Sequence, residues 1–221
     1  MFDSIAHRYD FLNHFLSFGV DFYWRRKSIS LLKPFRPQRI LDIATGTGDF
    51  AVAALRLKPT EVVGVDVSEG MIKLGVSKLR KRRLDGLIKL QAGNAEGLQF
   101  PDGSFDAAIV AFGVRNFENL KRGLCEMHRV LKQGGTALVL EFSSPSKFPF
   151  KQVYGFYFRT VLPFVGGKIS GHLEAYKYLP QSVQSFPDGD SFLDVLLSCG
   201  FRNARQQKLT FGIASVYVAT K

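Results

Sequence analysis

The segment Ile40-Leu-Asp-Ile-Ala-Thr-Gly-Thr-Gly-Asp49 constrains this protein more than any other. Residues 39–44 form a short apolar run that reads as a buried strand. Two glycines follow, and residues 49–57 then carry a helical pattern. Gly46 and Gly48 let the backbone turn tightly and come close to a ligand. Strand, glycine loop and helix in that order make a nucleotide-binding corner, and such corners sit in open parallel sheets. The spacing Gly46-x-Gly48-x-x-Ala51 also satisfies the loose dinucleotide pattern G-x-G-x-x-A. The loop alone therefore leaves the nucleotide open.

Further strands are expected at 61–67, 87–92, Phe105–Ala111 and 136–142, with helices at 70–83 and 120–131 between them. Alternation of this kind predicts an α/β fold: a Rossmann-like, mostly parallel sheet with helices on both faces. A helix over Asp190–Ser198 and strands over Arg202–Leu209 and 212–220 predict a closing antiparallel pair. With 221 residues the chain fits a single domain, 1–221. Residues 1–38 read as an N-terminal helical lid, and 143–186, rich in Phe, Tyr, Pro and Gly, as an aromatic insertion over the sheet.

The charges around the loop narrow the ligand. Asp49 opens the helix, where a dinucleotide would place its pyrophosphate, and a carboxylate there repels it. Asp42 adds a second acid at the same strand end. Acids suit a cationic ligand, and S-adenosylmethionine carries a sulfonium and an ammonium but no phosphate. Asp66 ends the second strand, placed to accept from both ribose hydroxyls. Asn94-Ala95-Glu96 follows the third strand, placed to meet the adenine.

These stretches, Ala-Thr-Gly-Thr-Gly-Asp (44–49), Val-Asp-Val-Ser (65–68) and Gly-Asn-Ala-Glu (93–96), resemble class I methyltransferases. Phe-Pro-Asp-Gly-Ser-Phe-Asp (100–106), Phe-Gly-Val-Arg-Asn (112–116) and Arg-Val-Leu-Lys-Gln-Gly-Gly (129–135) narrow the likeness. Together with Met-Phe-Asp-Ser-Ile-Ala-His-Arg-Tyr-Asp (1–10) and Tyr-Lys-Tyr-Leu-Pro-Gln-Ser-Val (176–183), they resemble the UbiE/MenG family of S-adenosylmethionine-dependent C-methyltransferases over essentially the whole chain. The resemblance implies methylation of a prenylated quinol ring: demethylmenaquinol to menaquinol, with a benzoquinol of the ubiquinone pathway as the alternative. It places cofactor contacts on Thr47, Asp66, Asn94 and Ala95, beside Asp42, Gly46 and Gly48 of the loop. Ala111 stands where the family usually has a serine, so that hydroxyl contact is lost and only backbone contact is expected. Thr45 stands where a second loop glycine is common. Family members usually carry residues before Met-Phe-Asp, so a short piece is expected to precede Met1.

The reaction that the resemblance implies is an in-line displacement at a sulfonium methyl, which asks the protein mainly for alignment and exclusion of water. The ring carbon becomes nucleophilic as a neighbouring quinol hydroxyl gives up its proton. Arg115 and Asn116 follow the fourth strand, where ligands bind in such sheets. Arg115 is no base, but it can stabilise a developing phenolate or hold a relaying water. Asn116 can orient the hydroxyl. Tyr9 is the third catalytic candidate, reaching over from the lid, with His7 and His14 beside it. His172, Tyr176 and Tyr178 are similar candidates from the insertion, and no metal site is expected.

Thirty Lys and Arg against 19 Asp and Glu give a net charge of +11, which favours anionic partners. Phe148, Phe150, Tyr154, Phe156, Tyr157, Phe158 and Phe164 are many aromatics for a loop. They predict a packed lid that also offers an apolar slot for the isoprenoid tail, held at an anionic membrane surface. An RNA methyltransferase is the competing reading of the charge. Against it, no Asn/Asp-Pro-Pro-Tyr motif follows the fourth strand, neither cysteine follows a proline, and no nucleic-acid module is visible. A cofactor-binding scaffold and an NAD-dependent oxidoreductase are weaker alternatives. The run Lys78-Leu-Arg-Lys-Arg-Arg83 reads as a solvated helix end. Cys125 and Cys199 read as packed free thiols in a reducing cytoplasm, and the protein as peripheral at the inner face of the cell membrane. A homodimer is compatible with all of this.

Overall fold

The computed structural model describes residues 19–145, 148–156 and 181–221. Its strands are β1 (Arg39–Ile43), β2 (Glu61–Asp66), β3 (Ile88–Ala92), β4 (Phe105–Ala111), β5 (Leu131–Phe142), β6 (Arg202–Leu209) and β7 (Ala214–Thr220). They form one sheet in the order β3-β2-β1-β4-β5-β7-β6. The strands from β3 to β5 run parallel, and β7 pairs antiparallel with both β5 and β6. The expected α/β sheet with its closing antiparallel pair is therefore present. β7 lies between β5 and β6, an order that differs from the 3-2-1-4-5-6 of dinucleotide domains.

Helices α1 (Val20–Ser30), α2 (Asp49–Ala54), α3 (Glu69–Lys81), α4 (Leu120–Val130), α5 (Phe150–Phe156) and α6 (Asp190–Ser198) accompany the sheet. Two apolar cores cover its faces. Leu124 and Met127 of α4 and Phe192 and Leu196 of α6 pack over one. Trp24 and Ile29 of α1, Phe50 of α2 and Leu79 of α3 pack over the other. Strands covered on both sides read as unbroken apolar runs, which is why β1 and β4 are legible in the sequence. Ser68 caps α3 by accepting from the Met71 amide at 3.2 Å, and Asn119 caps α4 by accepting from the Arg122 amide at 2.9 Å.

Some boundaries move. The second helix stops at Ala54 and tightens into a 3₁₀ turn, Leu55–Leu57, ended by Lys58 in the left-handed region. β5 starts at Leu131, five residues early, because Leu131 pairs Phe105 before a register shift restores pairing at Thr136. The cysteines correct a larger expectation: Cys125 and Cys199 form a disulfide, with Cα atoms 4.8 Å apart. They lie 74 residues apart in sequence, and meet because α4 and the end of α6 pack on the same face of the sheet. The cysteine-based argument for a reducing compartment lapses with the free thiols. Among the described residues no helix is long and apolar enough to cross a membrane.

Candidate active site

A cavity of about 310 Å³ opens at the C-terminal ends of β1, β2, β3 and β4. The turn after β1 makes its floor. Ala44 has a φ of 53° and Gly46 one of 56°, so the backbone folds back sharply. A Cβ on Gly46 would meet nothing within 4 Å, so the space over the loop is open. After β4, Phe112 also has a positive φ, 58°, and Gly113 presses so close to Ala44 that a Cβ on it would lie 2.6 Å from the Ala44 Cβ. Two non-glycine residues held left-handed on one cavity rim mark a place where the fold tolerates strain.

Asp42, Gly46, Thr47, Asp66, Asn94, Ala95, Ala111 and Asn116 line this cavity, so most of the predicted site residues converge. Asp66 accepts from the Gly46 amide at 2.8 Å and from the Ser68 amide at 2.9 Å. Its carboxylate thus ties the glycine loop to the end of β2, and a carboxylate oxygen can accept more than one bond. Asn94 accepts from the Glu96 amide at 2.9 Å and fixes its own turn. Thr45 donates to Asp42 Oδ2 at 2.6 Å, while Asp42 Oδ1 is buried without a partner. Burial pushes the Asp42 carboxyl up to about 7, against the pull of the Thr45 hydroxyl, the Arg25 guanidinium and the Ala51 amide. Such an atom, facing a cavity, is a place for a donor or cation from outside the protein.

Three predicted residues stand apart. Gly48 does not line the cavity; it sits behind the loop as the left-handed N-cap of α2, with φ 88°. The Arg115 side chain is 6% exposed and turns away, pairing with Glu141 Oε1 at 2.6 Å and donating to the Phe112 carbonyl at 2.6 Å. Glu141, at 0%, also accepts from the Phe142 amide, and burial raises its pKa against the opposing Arg115 charge. The pair clamps the turn at 112–116 onto the end of β5. Tyr9 lies outside the described residues, as do His7, His14, His172, Tyr157, Phe158, Phe164, Tyr176 and Tyr178.

Sequence reasoning missed three partners. A carboxylate inside the apolar run at 136–142 needs a buried cation, which was a usable signal for Glu141. Lys78 pairs with Asp49 at 2.7 Å and donates to the Thr47 hydroxyl at 2.9 Å. The charge of Asp49, central to the argument against a pyrophosphate, is therefore already met within the protein. Arg25 of α1 is a further cavity residue.

Sheet order and an acid-lined cavity at the strand ends define the class, a methyltransferase of the Rossmann-like type. The sequence matches the ubiE/COQ5 methyltransferase family over residues 1–221. It is 49% identical to the demethylmenaquinone methyltransferase of Bacteroides fragilis, over 100% of this chain and 91% of that one. It is 48% identical to the ubiquinone/menaquinone biosynthesis C-methyltransferase UbiE of Geobacter sulfurreducens, over 100% and 87%. A solved S-adenosylmethionine-dependent methyltransferase of Thermotoga maritima superposes with a TM-score of 0.68 at 23% identity, over 100% and 97% of the two chains, a likeness of fold. The protein belongs to the ubiE/COQ5 methyltransferase family and is an S-adenosylmethionine-dependent methyltransferase.

Proposed function

We propose that this enzyme methylates a ring carbon of demethylmenaquinol to give menaquinol, with the related benzoquinol of the ubiquinone pathway as the second reading. The observation that carries this is one continuous cavity, acid-lined at the β1 and β2 ends and walled by Phe112, Asn116 and Phe117 beyond β4. The residues present fit the cofactor. Asp66, held by two amides, takes the ribose hydroxyls; Asn94 and Ala95 meet the adenine; the loop at Gly46 and Thr47 and the backbone of Ala111 close around it. The orphaned oxygen of Asp42 takes the ammonium. When bound, S-adenosylmethionine supplies an electrophilic methyl on a good leaving group.

The remaining chemistry belongs to the protein's own side chains. Asn116 orients a quinol hydroxyl in the aromatic half of the cavity. Arg115 keeps Asn116 and Phe112 in place by clamping their turn, and is a positioning residue in this reading. Helix α1 contributes to the cavity wall through Arg25. Phe148, Phe156 and Phe211 are 80%, 64% and 68% exposed, and Phe211 stacks on Phe150 at 3.8 Å. With a net charge of +11 they suit loose contact with an anionic membrane holding the substrate.

Methyl transfer from labelled cofactor should be faster to demethylmenaquinol than to a ubiquinol precursor. The reverse order would shift the assignment to the second pathway, and label on RNA alone would sink both. The Asp42 assignment predicts a pH dependence. Its folded pKa lies near 7, above the ordinary 3.8, so the ammonium-binding carboxylate is lost as pH falls through 7. Affinity for S-adenosylhomocysteine should drop about 15-fold between pH 7 and 5.5, where the ligand's own amine stays protonated. In Asp42→Asn the calorimetric profile should be flat. The charges facing Asp42 are Arg25 and Asp66. By the same linkage the ligand-free fold loses the contribution of neutral Asp42 as pH rises through 7, and gains it back in acid.

A further inference from the structure

We propose that Arg25 binds the carboxylate of the cofactor's amino-acid end, a reading that rests on the cofactor assignment above. Among the described residues lining the cavity, Arg25 carries the one cationic side chain. Its side chain is 13% exposed and its guanidinium carbon lies 5.9 Å from the centre of the Phe50 ring and 5.4 Å from that of Phe112. These two rings flank the gap between the glycine loop and the end of β4. The anion beside it, Asp21 Oδ2, is 3.6 Å from Nε, beyond hydrogen-bond reach, and the buried Nε has no partner. The guanidinium is held in place by rings and a loose i,i+4 pair, while its Nε donor is left unused.

The cavity sets the ligand's direction. Asp66 and Asn94 lie at the ends of β2 and β3, so the nucleoside half belongs there. The amino-acid half then extends toward β1 and β4, where Arg25 and the orphaned Asp42 oxygen stand together. An arginine beside a sulfonium is repulsive unless it meets an anion, and the cofactor carries one anion, its carboxylate. A planar fork of donors matches that group and an ammonium-seeking aspartate matches its neighbour. The pair is thus complementary to a zwitterion, Arg25 to one pole and Asp42 to the other.

The test compares two ligands, S-adenosylhomocysteine and its decarboxylated analogue, the aminopropyl thioether of adenosine, by calorimetry on the full chain. The wild type should prefer S-adenosylhomocysteine by about 10- to 100-fold. Arg25→Met should erase the preference, while Arg25→Lys keeps part of it. A structural role, or an effect through Asp42, would weaken both ligands alike, because both keep the amine. Equal weakening with the preference intact overturns the proposal. So does a wild type that binds the two equally, a result that does not require the variants to fold. A wild type that binds neither would overturn the cofactor assignment as well.

Discussion

Arg115→Ala is expected to destabilise the fold by about 3–5 kcal/mol, because it leaves the fully buried Glu141 without its cation. Turnover should fall with it. The guanidinium also holds the Phe112 carbonyl, so the turn that presents Phe112 and Asn116 loses two anchors at once. The pH dependence separates this from simple truncation. Burial already raises Glu141 above the ordinary 4.5, and Arg115 opposes the rise. Without Arg115 the carboxyl goes higher still. A folded-state pKa above the unfolded one gives stability that is complete in acid and lost as pH rises. The variant's deficit in denaturant unfolding should therefore be small near pH 4.5 and grow toward neutrality. Arg115→Met with Glu141→Leu should regain most of the stability, since an apolar pair replaces a buried ion pair at little cost. If the double variant also regained turnover, the turn alone would suffice. If it stayed inactive with cofactor affinity intact, the guanidinium would have a direct part. A deficit that does not change with pH would refute the Glu141 account.

The centre of the parallel sheet was readable because β1, β2 and β4 are buried on both faces and bounded by turn signals. The glycine loop and Asp66 were readable for the same local reason: strand, loop and acid are separated by fixed short distances. What escaped depends on pairs distant in sequence. Glu141 and Arg115 are 26 residues apart, Lys78 and Asp49 29, and Cys125 and Cys199 74. Each partner alone has an ordinary reading: a strand-end acid, one basic residue in a solvated run, a packed thiol. Only the pairing of β4 with β5, the packing of α3 against the loop, and that of α4 against α6 turn them into pairs. Arg25 is hard to single out from sequence because Arg25, Arg26 and Lys27 are consecutive cations, and only the winding of α1 turns the first into the cavity while Arg26 and Lys27 stay exposed.

Asp66→Ala is expected to weaken S-adenosylhomocysteine binding by about 100-fold or more, the larger effect of any single change at the nucleoside end. Two losses combine. The ribose hydroxyls lose charged acceptors, each worth about 1.5–3 kcal/mol. The Gly46 amide also loses its 2.8 Å bond, and with it the tie between the glycine loop and β2. Asp66→Asn divides the two. Its amide oxygen can still accept from Gly46 or from a hydroxyl, but its nitrogen cannot, and the negative charge is gone. The asparagine variant should therefore bind more weakly than wild type and more tightly than alanine. The deoxyribose analogue of S-adenosylhomocysteine isolates the ribose contact: it should bind wild type more weakly than the parent, yet bind Asp66→Ala as the parent does. Equal losses for parent and deoxy ligand on wild type and variant would assign Asp66 to holding the loop alone. Loss of the ribose preference would place the carboxylate on the hydroxyls, with the loop amides setting the angle at which it meets them.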